Sequence, residues 1–320
     1  MSLTKKREVY APFEYPEAAD YWLKQQNAHW LHTEVSMSTD IQDWEFNLTD
    51  QEKNVIGKTL KGFTQTEVII NDYWSNKVSK WFPKPEIAMM CSAFANMESI
   101  HMKAYAYLNE SLGIDDFSAF LEDPVTKAQI DNLVDTKGNS KPDIARSLAV
   151  FSGFAEGVQL FSRFAILMNF SRFNKLKGVG QIVAFSVRDE SLHSEAGCRF
   201  FRQFISENPD IWTDDLKKDI YEAARNTIKL EDDFIDSVFE VGGVEGLNPV
   251  DLKNYIRARA NTKLNDLSLK NNWKNVDKES VNRVAEWFDF MTTGVRHTDF
   301  FALRVTDYSK ATVNWDNMYD

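Results

Sequence analysis

Apolar residues recur three or four positions apart along most of the chain, which is the spacing of one face of an α-helix. The first strong stripe runs from Ile56 to Trp74. It follows Thr49 and Glu52, whose spacing fits a capping box at a helix start. Stripes of the same kind predict further helices near 17–28, 85–108, 142–170, 180–205, 213–240, 249–270 and 277–292. The pattern therefore predicts an all-α protein.

The segments around these helices divide the chain into three parts. Residues 1–45 are mixed and aromatic-rich, and we expect them to pack on a helical domain formed by residues 46–292. Within that domain, the polar stretch 111–142 contains turn-forming residues around one short helix. Residues 293–320 lose helical periodicity, which predicts a flexible C-terminal tail suited to docking on a partner.

Titratable side chains interrupt four of the apolar stripes, and their arrangement occurs twice. In each copy one helix carries a lone Glu, and the next helix carries a Glu and a His three residues apart. The set is Glu67, Glu98, His101, Glu156, Glu190 and His193. Because burial of an unpartnered charge is costly, we expect these side chains to share a ligand.

Residues three apart on a helix point to the same side, so each Glu-x-x-His pair can present an oxygen and a nitrogen to one metal ion. A single pair arises often by chance and is commonly a solvated surface pair. Two pairs, each preceded by a carboxylate in an apolar stripe, favour a metal site over a purely structural helical protein. Four carboxylates and two imidazoles suit two iron or manganese ions. Ferritin-like bundles with a dinuclear carboxylate site have this arrangement.

Composition and charge exclude several classes of function. The net charge of -11 argues against a binder of nucleic acid or anionic membranes. No apolar run is long enough to span a membrane, and the first residues lack the apolar segment of a signal peptide. Cys91 and Cys198 lie in helical patterns, which favours buried thiols over a disulfide. We therefore expect a cytoplasmic protein that binds neither nucleic acid nor membrane.

Longer motifs surround the titratable residues. They are NAHWLHTEV at 27–35, FANMESIHMKAY at 94–105, FAEGVQLFSRFA at 154–165, SVRDESLH at 186–193 and GLNPVDLKNYIRARANTKL at 246–264. In these motifs, and over roughly residues 20–310, the chain resembles the radical-generating small subunit of class I ribonucleotide reductases. The resemblance implies a ferritin-like bundle whose dinuclear metal centre is held by the six Glu and His residues.

The resemblance also implies an activity and partners. Small subunits of this family react with an oxygen-derived oxidant and generate and store a one-electron oxidant. They pass it to a cysteine of a large catalytic subunit, which reduces ribonucleotides to deoxyribonucleotides. By the same analogy we expect a homodimer that is active only with the large subunit.

Individual residues acquire roles only through this resemblance. Tyr105 occupies the place of the radical tyrosine, four residues after His101. Trp30, Asp189 and His101 match the inner part of the radical path. Tyr308 in the tail is the candidate relay residue at the subunit boundary, and Tyr319 is the weaker candidate.

One position departs from the most familiar members of the family. Those members carry Asp as the first metal ligand, whereas this chain carries Glu67. Glu67 together with Tyr105 is similar to a dimanganese subgroup. This favours two manganese ions as the cofactor, with two iron ions or a manganese–iron pair as alternatives. It also predicts that Tyr105 is not the resting radical.

Other dinuclear carboxylate proteins remain as rival interpretations. An R2-like ligand-binding oxidase or a fatty-acid desaturase would need an internal apolar substrate channel, and neither would need a docking tail or the Trp30–Asp189 pair. An iron-storage protein would also lack a use for these residues.

Overall fold

The computed structural model describes residues 2–61, 63–114, 116, 122–134 and 138–306, with side chains described as far as residue 292 except at 64, 65 and 134. These residues form helices and no β-strand, as the apolar spacing predicts. The α-helices are α1 (Pro16–Asn27), α2 (Ser38–Gln42), α3 (Asp50–Lys61), α4 (Phe63–Asp72), α5 (Ser79–Trp81), α6 (Pro85–Ser111), α7 (Pro124–Val134), α8 (Lys141–Leu148), α9 (Phe161–Arg172), α10 (Lys177–Glu207), α11 (Asp214–Val238), α12 (Pro249–Asp266) and α13 (Lys278–Thr306). Wider π-helical turns occupy Asp43–Asn47, Tyr73–Val78 and Ala149–Gln159, and 3₁₀ turns occupy His32–Glu34 and Pro209–Ile211.

Helix α3 begins at the capping box that the sequence predicts. The backbone N–H of Glu52 donates to Thr49 Oγ1 at 3.2 Å, and the backbone N–H of Thr49 donates to Glu52 Oε2 at 2.9 Å. This reciprocal pair satisfies two backbone donors at the start of α3. Pro85 is the first residue of α6, where a missing N–H removes no helical hydrogen bond.

The last helix is longer than its apolar stripe indicates. α13 continues to Thr306, so the predicted helix end at 292 is wrong. Between 293 and 306 the sequence contains no proline and a single glycine, Gly294, so the backbone is free to continue as a helix. Tyr308 and Tyr319 of the predicted docking tail lie outside the described residues.

The predicted helix over 142–170 contains a π-helical segment. The predicted long helix is confirmed as α8, the segment Ala149–Gln159 and α9 in succession, and its middle part is π-helical. Hydrogen bonds from residue i to i+5 widen such a turn and displace backbone groups. The displaced carbonyl of Gly157 accepts hydrogen bonds from Nε and Nη2 of Arg259, at 3.2 and 3.1 Å.

The bundle core pairs the elements that carry the titratable residues. α4, with Glu67, packs on α6, with Glu98 and His101. The Ala149–Gln159 segment, with Glu156, packs on α10, with Glu190 and His193. α1 from the N-terminal part lies against both α6 and α10. None of the described helices is long and apolar enough to cross a membrane.

Close packing of α10 on the π-helical segment depends on Gly197. A Cβ atom at this position would collide with the side chain of Ser152. We expect Gly197→Ala to lower the free energy of unfolding by about 1–3 kcal/mol, and Ser152→Gly in the same chain to recover part of the loss. Urea unfolding measures both. Gly243→Ala is the control because that glycine has open space around it, and an equal loss there would contradict the packing argument.

Candidate metal centre

The structure brings together all six titratable residues that the sequence singles out. Each of these side chains is fully buried. They form two overlapping groups of potential ligands, with the ligand atoms of each group within 4.8 Å of one another. The first group is Glu67, Glu98, His101 and Glu190, and the second is Glu98, Glu156, Glu190 and His193. Glu98 and Glu190 belong to both groups, so their carboxylates can serve two ions.

The imidazoles turn their Nδ1 atoms toward the shared carboxylates. His101 Nδ1 lies 3.1 Å from Glu98 Oε2 and 3.0 Å from Glu190 Oε1. His193 Nδ1 lies 2.6 Å from Glu98 Oε1 and 3.9 Å from Glu190 Oε2. Each Nδ1 is therefore placed to ligate a cation beside the same two carboxylates.

The opposite nitrogens of both imidazoles contact residues outside the ligand set. His101 Nε2 lies 3.1 Å from Asp189 Oδ2, which also accepts a 2.8 Å hydrogen bond from Trp30 Nε1. His193 Nε2 lies 3.0 Å from Gln25 Oε1, and Gln25 Nε2 donates to Asp189 Oδ1 at 3.1 Å. When each Nε2 carries the proton and donates to these oxygens, each Nδ1 keeps its lone pair for a metal.

Gln25 is a site residue that the sequence interpretation missed. It lies on the buried face of α1 with Ala18 and Tyr21. A polar residue at the i+7 position of an otherwise apolar face is the signal that could have identified it.

We expect Gln25→Leu to weaken binding of one of two metal ions by about 10- to 100-fold, because His193 loses the acceptor that orients it. Metal titration followed by elemental analysis measures this. Gln26→Leu, at the exposed neighbouring position on α1, is the matched control. Unchanged affinity in Gln25→Leu would show that His193 needs no such support.

Trp74 has a polar role beyond its predicted place in an apolar stripe. Its indole Nε1 donates to Glu156 Oε1 at 2.6 Å, and both side chains are fully buried.

Tyr105 is also buried, with its ring 4.6 Å from that of Phe63 and 6.0 Å from that of His101. The predicted tyrosine therefore lies beside the ligand set.

Repulsion between buried carboxylates raises several pKa values at the site. Burial, followed by the charges of Glu190 and Glu98, holds the pKa of Glu67 well above its usual range. The same causes act on the pKa of Glu156. Burial and the charge of Glu98 raise the pKa of Glu190 to about 7. Without nearby cations, this many buried carboxylates could not all be ionised at low cost.

For Glu98 and His101, by contrast, the pKa shifts favour the charged form of each side chain. Burial alone would raise the pKa of Glu98, but the charges of His193 and His101 outweigh it, and the pKa of Glu98 is lowered. Burial alone would lower the pKa of His101, but Glu98 and hydrogen bonds to Asp189 and Glu190 raise it well above its usual range. Positive charge is thus strongly favoured between these carboxylates.

Several buried polar atoms at the site have no hydrogen-bonding partner within the described part of the chain. They are both carboxylate oxygens of Glu67, Oε2 of Glu156 and Oε2 of Glu190. Such atoms are rare in protein interiors unless another group satisfies them. Their number and their hard-ligand chemistry fit a pair of cations.

Comparison with known proteins assigns the chain to a family. A family model described as "Ribonucleotide reductase, small chain" matches residues 7–280. The chain belongs to the ribonucleotide reductase small-chain family. It is 33% identical to a "Probable ribonucleoside-diphosphate reductase small subunit" of Invertebrate iridescent virus 6, over 100% of this chain and 99% of that protein. It is 26% identical to the "Ribonucleoside-diphosphate reductase subunit beta" of Chlamydia pneumoniae, over 94% of this chain and 89% of that protein.

Solved structures agree with this small chain in fold. The R2 subunit of ribonucleotide reductase from Clostridium botulinum has a TM-score of 0.83 at 20% identity, over 91% of this chain and 94% of that one. The dimanganese(II)-NrdF of Streptococcus sanguinis has a TM-score of 0.75 at 22% identity, over 88% and 99%. The expected ferritin-like helical bundle is therefore confirmed.

Proposed function

We propose that this small chain is the metal-bearing small subunit of a ribonucleoside-diphosphate reductase, and that Glu67, Glu98, His101, Glu156, Glu190 and His193 hold its two metal ions. The observation that carries the proposal is the sharing of Glu98 and Glu190 between two buried ligand groups. When bound, the metal pair supplies a one-electron oxidant that is generated with an oxygen-derived co-reactant. The names of the relatives indicate the reaction, which is the reduction of ribonucleoside diphosphates, and a small subunit implies a large partner subunit.

The surrounding residues have three tasks in this proposal. Asp189 holds His101 in one orientation and accepts the indole N–H of Trp30, so these three residues form a continuous hydrogen-bonded path away from the ligands. The fully buried side chains exclude water from that path. Tyr308, with Tyr319 as the weaker candidate, is proposed to continue the path to the large subunit. A homodimer is proposed by analogy with the family.

The favoured metals are two manganese ions, with two iron ions or a mixed pair as alternatives, and the oxidant is proposed to reside on the metals and not on Tyr105. Glu67 supports this choice because its longer side chain replaces the Asp of familiar members. Elemental analysis and electron paramagnetic resonance of the activated protein test it. We expect manganese and no narrow tyrosyl signal. A tyrosyl signal that disappears in Tyr105→Phe would refute the proposal for the oxidant.

The test of the proposed function is reconstitution with the large subunit from the same source. The metal-loaded small chain should bind about two ions per chain, as dinuclear carboxylate bundles do, and should be required for deoxyribonucleotide formation. Full metal occupancy without any stimulation of the large subunit would favour an R2-like oxidase instead.

A further inference from the structure

A row of aromatic side chains begins at Glu156 and leads away from the ligand set. After the hydrogen bond from Trp74 to Glu156, the ring of Trp74 lies 5.5 Å from that of Tyr73. The ring of Tyr73 lies 6.0 Å from that of Trp81. Both ring pairs have the edge-to-face arrangement and spacing of contacting aromatic side chains. Unbroken contacts therefore join a ligand residue to Trp81.

The row is shielded from water along most of its length. Trp74 and Tyr73 are fully buried, and Tyr73 also stacks on Phe151 with their planes 2° apart and their centroids 3.9 Å apart. Trp81 is the first member that reaches solvent, and its Nε1 donates to Asn139 Oδ1 at 2.9 Å. Indole and phenol rings are among the side chains that are most readily oxidised by one electron. A buried row of them is therefore able to carry electrons.

The outer end of the row opens into a surface cavity of about 470 Å³, whose described lining residues include two lysines and no carboxylate. Its lining residues are Asn76, Lys77, Lys80, Trp81, Gly138 and Asn139. This volume is suited to a small molecule, and two lysines at the rim attract anions. A small anion bound in this cavity would contact the ring of Trp81.

Ordinary core packing explains the burial of these rings but not what lies at the two ends of the row. The indole N–H of Trp74 is aimed at a carboxylate of the ligand set, not at a backbone carbonyl. The other end of the row lies at a basic cavity, not within the apolar core. Both features suit electron transfer between the cavity and the metal centre.

We propose that Trp81, Tyr73 and Trp74 form an electron-entry route by which a small anionic one-electron reductant, bound beside Lys77 and Lys80, reduces the metal pair. The route is separate from the path through His101, Asp189 and Trp30. It rests on the proposed function, because it requires a redox-active metal pair at the ligand set.

Each transfer moves one electron and breaks no bond in the protein. The bound reductant loses one electron and, if it is an enediol acid such as ascorbate, releases its proton to solvent. Trp81, Tyr73 and Trp74 would carry this electron to the ligand residue Glu156, where a bound, oxidised metal pair would accept it. Tyr73 lies between the two indoles and is in edge-to-face contact with both.

The test follows reduction of the oxidised metal centre after rapid mixing of the full-length, metal-loaded protein with ascorbate. We expect a fast phase that saturates with ascorbate concentration. Trp81→Phe keeps an aromatic ring but should lose the fast phase, because phenylalanine is far harder to oxidise than tryptophan. Trp44→Phe is the matched control, since Trp44 is also a partly buried tryptophan near a lysine, Lys53, at 5.9 Å.

The cavity is tested by a double variant, Lys77→Gln with Lys80→Gln. We expect it to lower the rate at limiting ascorbate by about tenfold at low ionic strength and to weaken the salt dependence. Reduction by hydroquinone, which is neutral, should be unchanged in this variant and should still lose its fast phase in Trp81→Phe. Equal effects on both reductants would overturn the role of the lysines as an anion site.

A second readout does not depend on reduction rates. When the centre is activated without reductant, peptide mass spectrometry should find oxidised tryptophan at Trp81 and not at Trp44. Wild-type reduction rates in a fully metal-loaded Trp81→Phe protein would overturn the route and leave the proposed function intact. Failure of the wild-type chain to bind metal would overturn both.

Discussion

Asp189→Asn is expected to lower ribonucleotide reduction with the large subunit by about 10- to 100-fold at saturating metal. The carboxylate of Asp189 accepts from Trp30 Nε1 at 2.8 Å and contacts His101 Nε2 at 3.1 Å. Trp30 and His101 share Asp189 Oδ2, whereas Gln25 Nε2 donates to Oδ1 at 3.1 Å. An amide has one acceptor oxygen and one N–H₂ donor, so one of its two sides would face a donor instead of accepting from it. We therefore expect His101 to lose its fixed orientation and the hydrogen-bonded path to be interrupted.

Trp30→Phe separates these two consequences. It removes the indole from the path but leaves Asp189 in contact with His101, so metal binding should persist while ribonucleotide reduction is lost. Ribonucleotide turnover and metal content are measured on the same preparations. Trp22→Phe, at a partly buried position of α1, is the matched control. Equal turnover in the Trp30 and Trp22 variants would exclude a role for Trp30 in electron transfer.

The buried cluster of Glu and His side chains was largely predictable from sequence because helical spacing converts directly into side-chain direction. Glu98 and His101 are three residues apart, as are Glu190 and His193, so each pair had to share a face once its helix formed. Because both pairs lie within apolar stripes, they were predicted to be buried. The carboxylate of Glu67 followed from the same periodicity.

The residues that orient the ligands were harder to predict because they depend on tertiary contacts. Gln25 is far from His193 and Asp189 in sequence, and only the packing of α1 on α10 joins them. Trp74 looked like an ordinary apolar member of its stripe, since periodicity reports burial and not the direction of an indole N–H. Asp189 required the family resemblance, because an Asp next to Glu190 would commonly be exposed.

Backbone irregularities were also beyond the apolar pattern. Spacings of three and four residues describe an α-helix and tolerate a π-helical turn equally well, so the segment Ala149–Gln159 could not be distinguished. Within this segment the carbonyl of Gly157 accepts hydrogen bonds from Arg259 of α12, a contact that local spacing does not reveal. The end of α13 could not be predicted for a related reason, because a helix can continue beyond the last residue of its apolar stripe.

Chelation of the metal ions is expected to destabilise the chain increasingly as pH rises from about 5 to about 8. The pKa values of Glu67, Glu156 and Glu190 are raised above those of an unfolded chain, and that of Glu190 is about 7. Without metal, the folded chain therefore binds more protons than the unfolded chain in this range, and stability is lost as pH rises through the raised pKa values. The raised pKa of His101 acts in the same direction.

Bound cations replace those protons, so the metal-loaded chain escapes this loss. With free metal at about 100 to 1,000 times its dissociation constant, one bound ion stabilises the chain by about 3–4 kcal/mol, or a rise of about 5 °C in Tm for a chain of 320 residues. Calorimetry at several pH values, with metal or with chelator, measures the difference. A metal-dependent shift of the same size at every pH would contradict the electrostatic explanation.

Glu190→Gln provides the sharpest form of this test because it removes one of the two shared carboxylates. In chelator at pH 8 the variant should be more stable than wild type, since one buried charge of a repelling set is gone. With metal it should be less stable, since both ions lose a ligand. Glu45→Gln, at an exposed position, should change the stability neither in chelator nor with metal. Only a site selected to hold cations, at the expense of its own stability, predicts this reversal of sign.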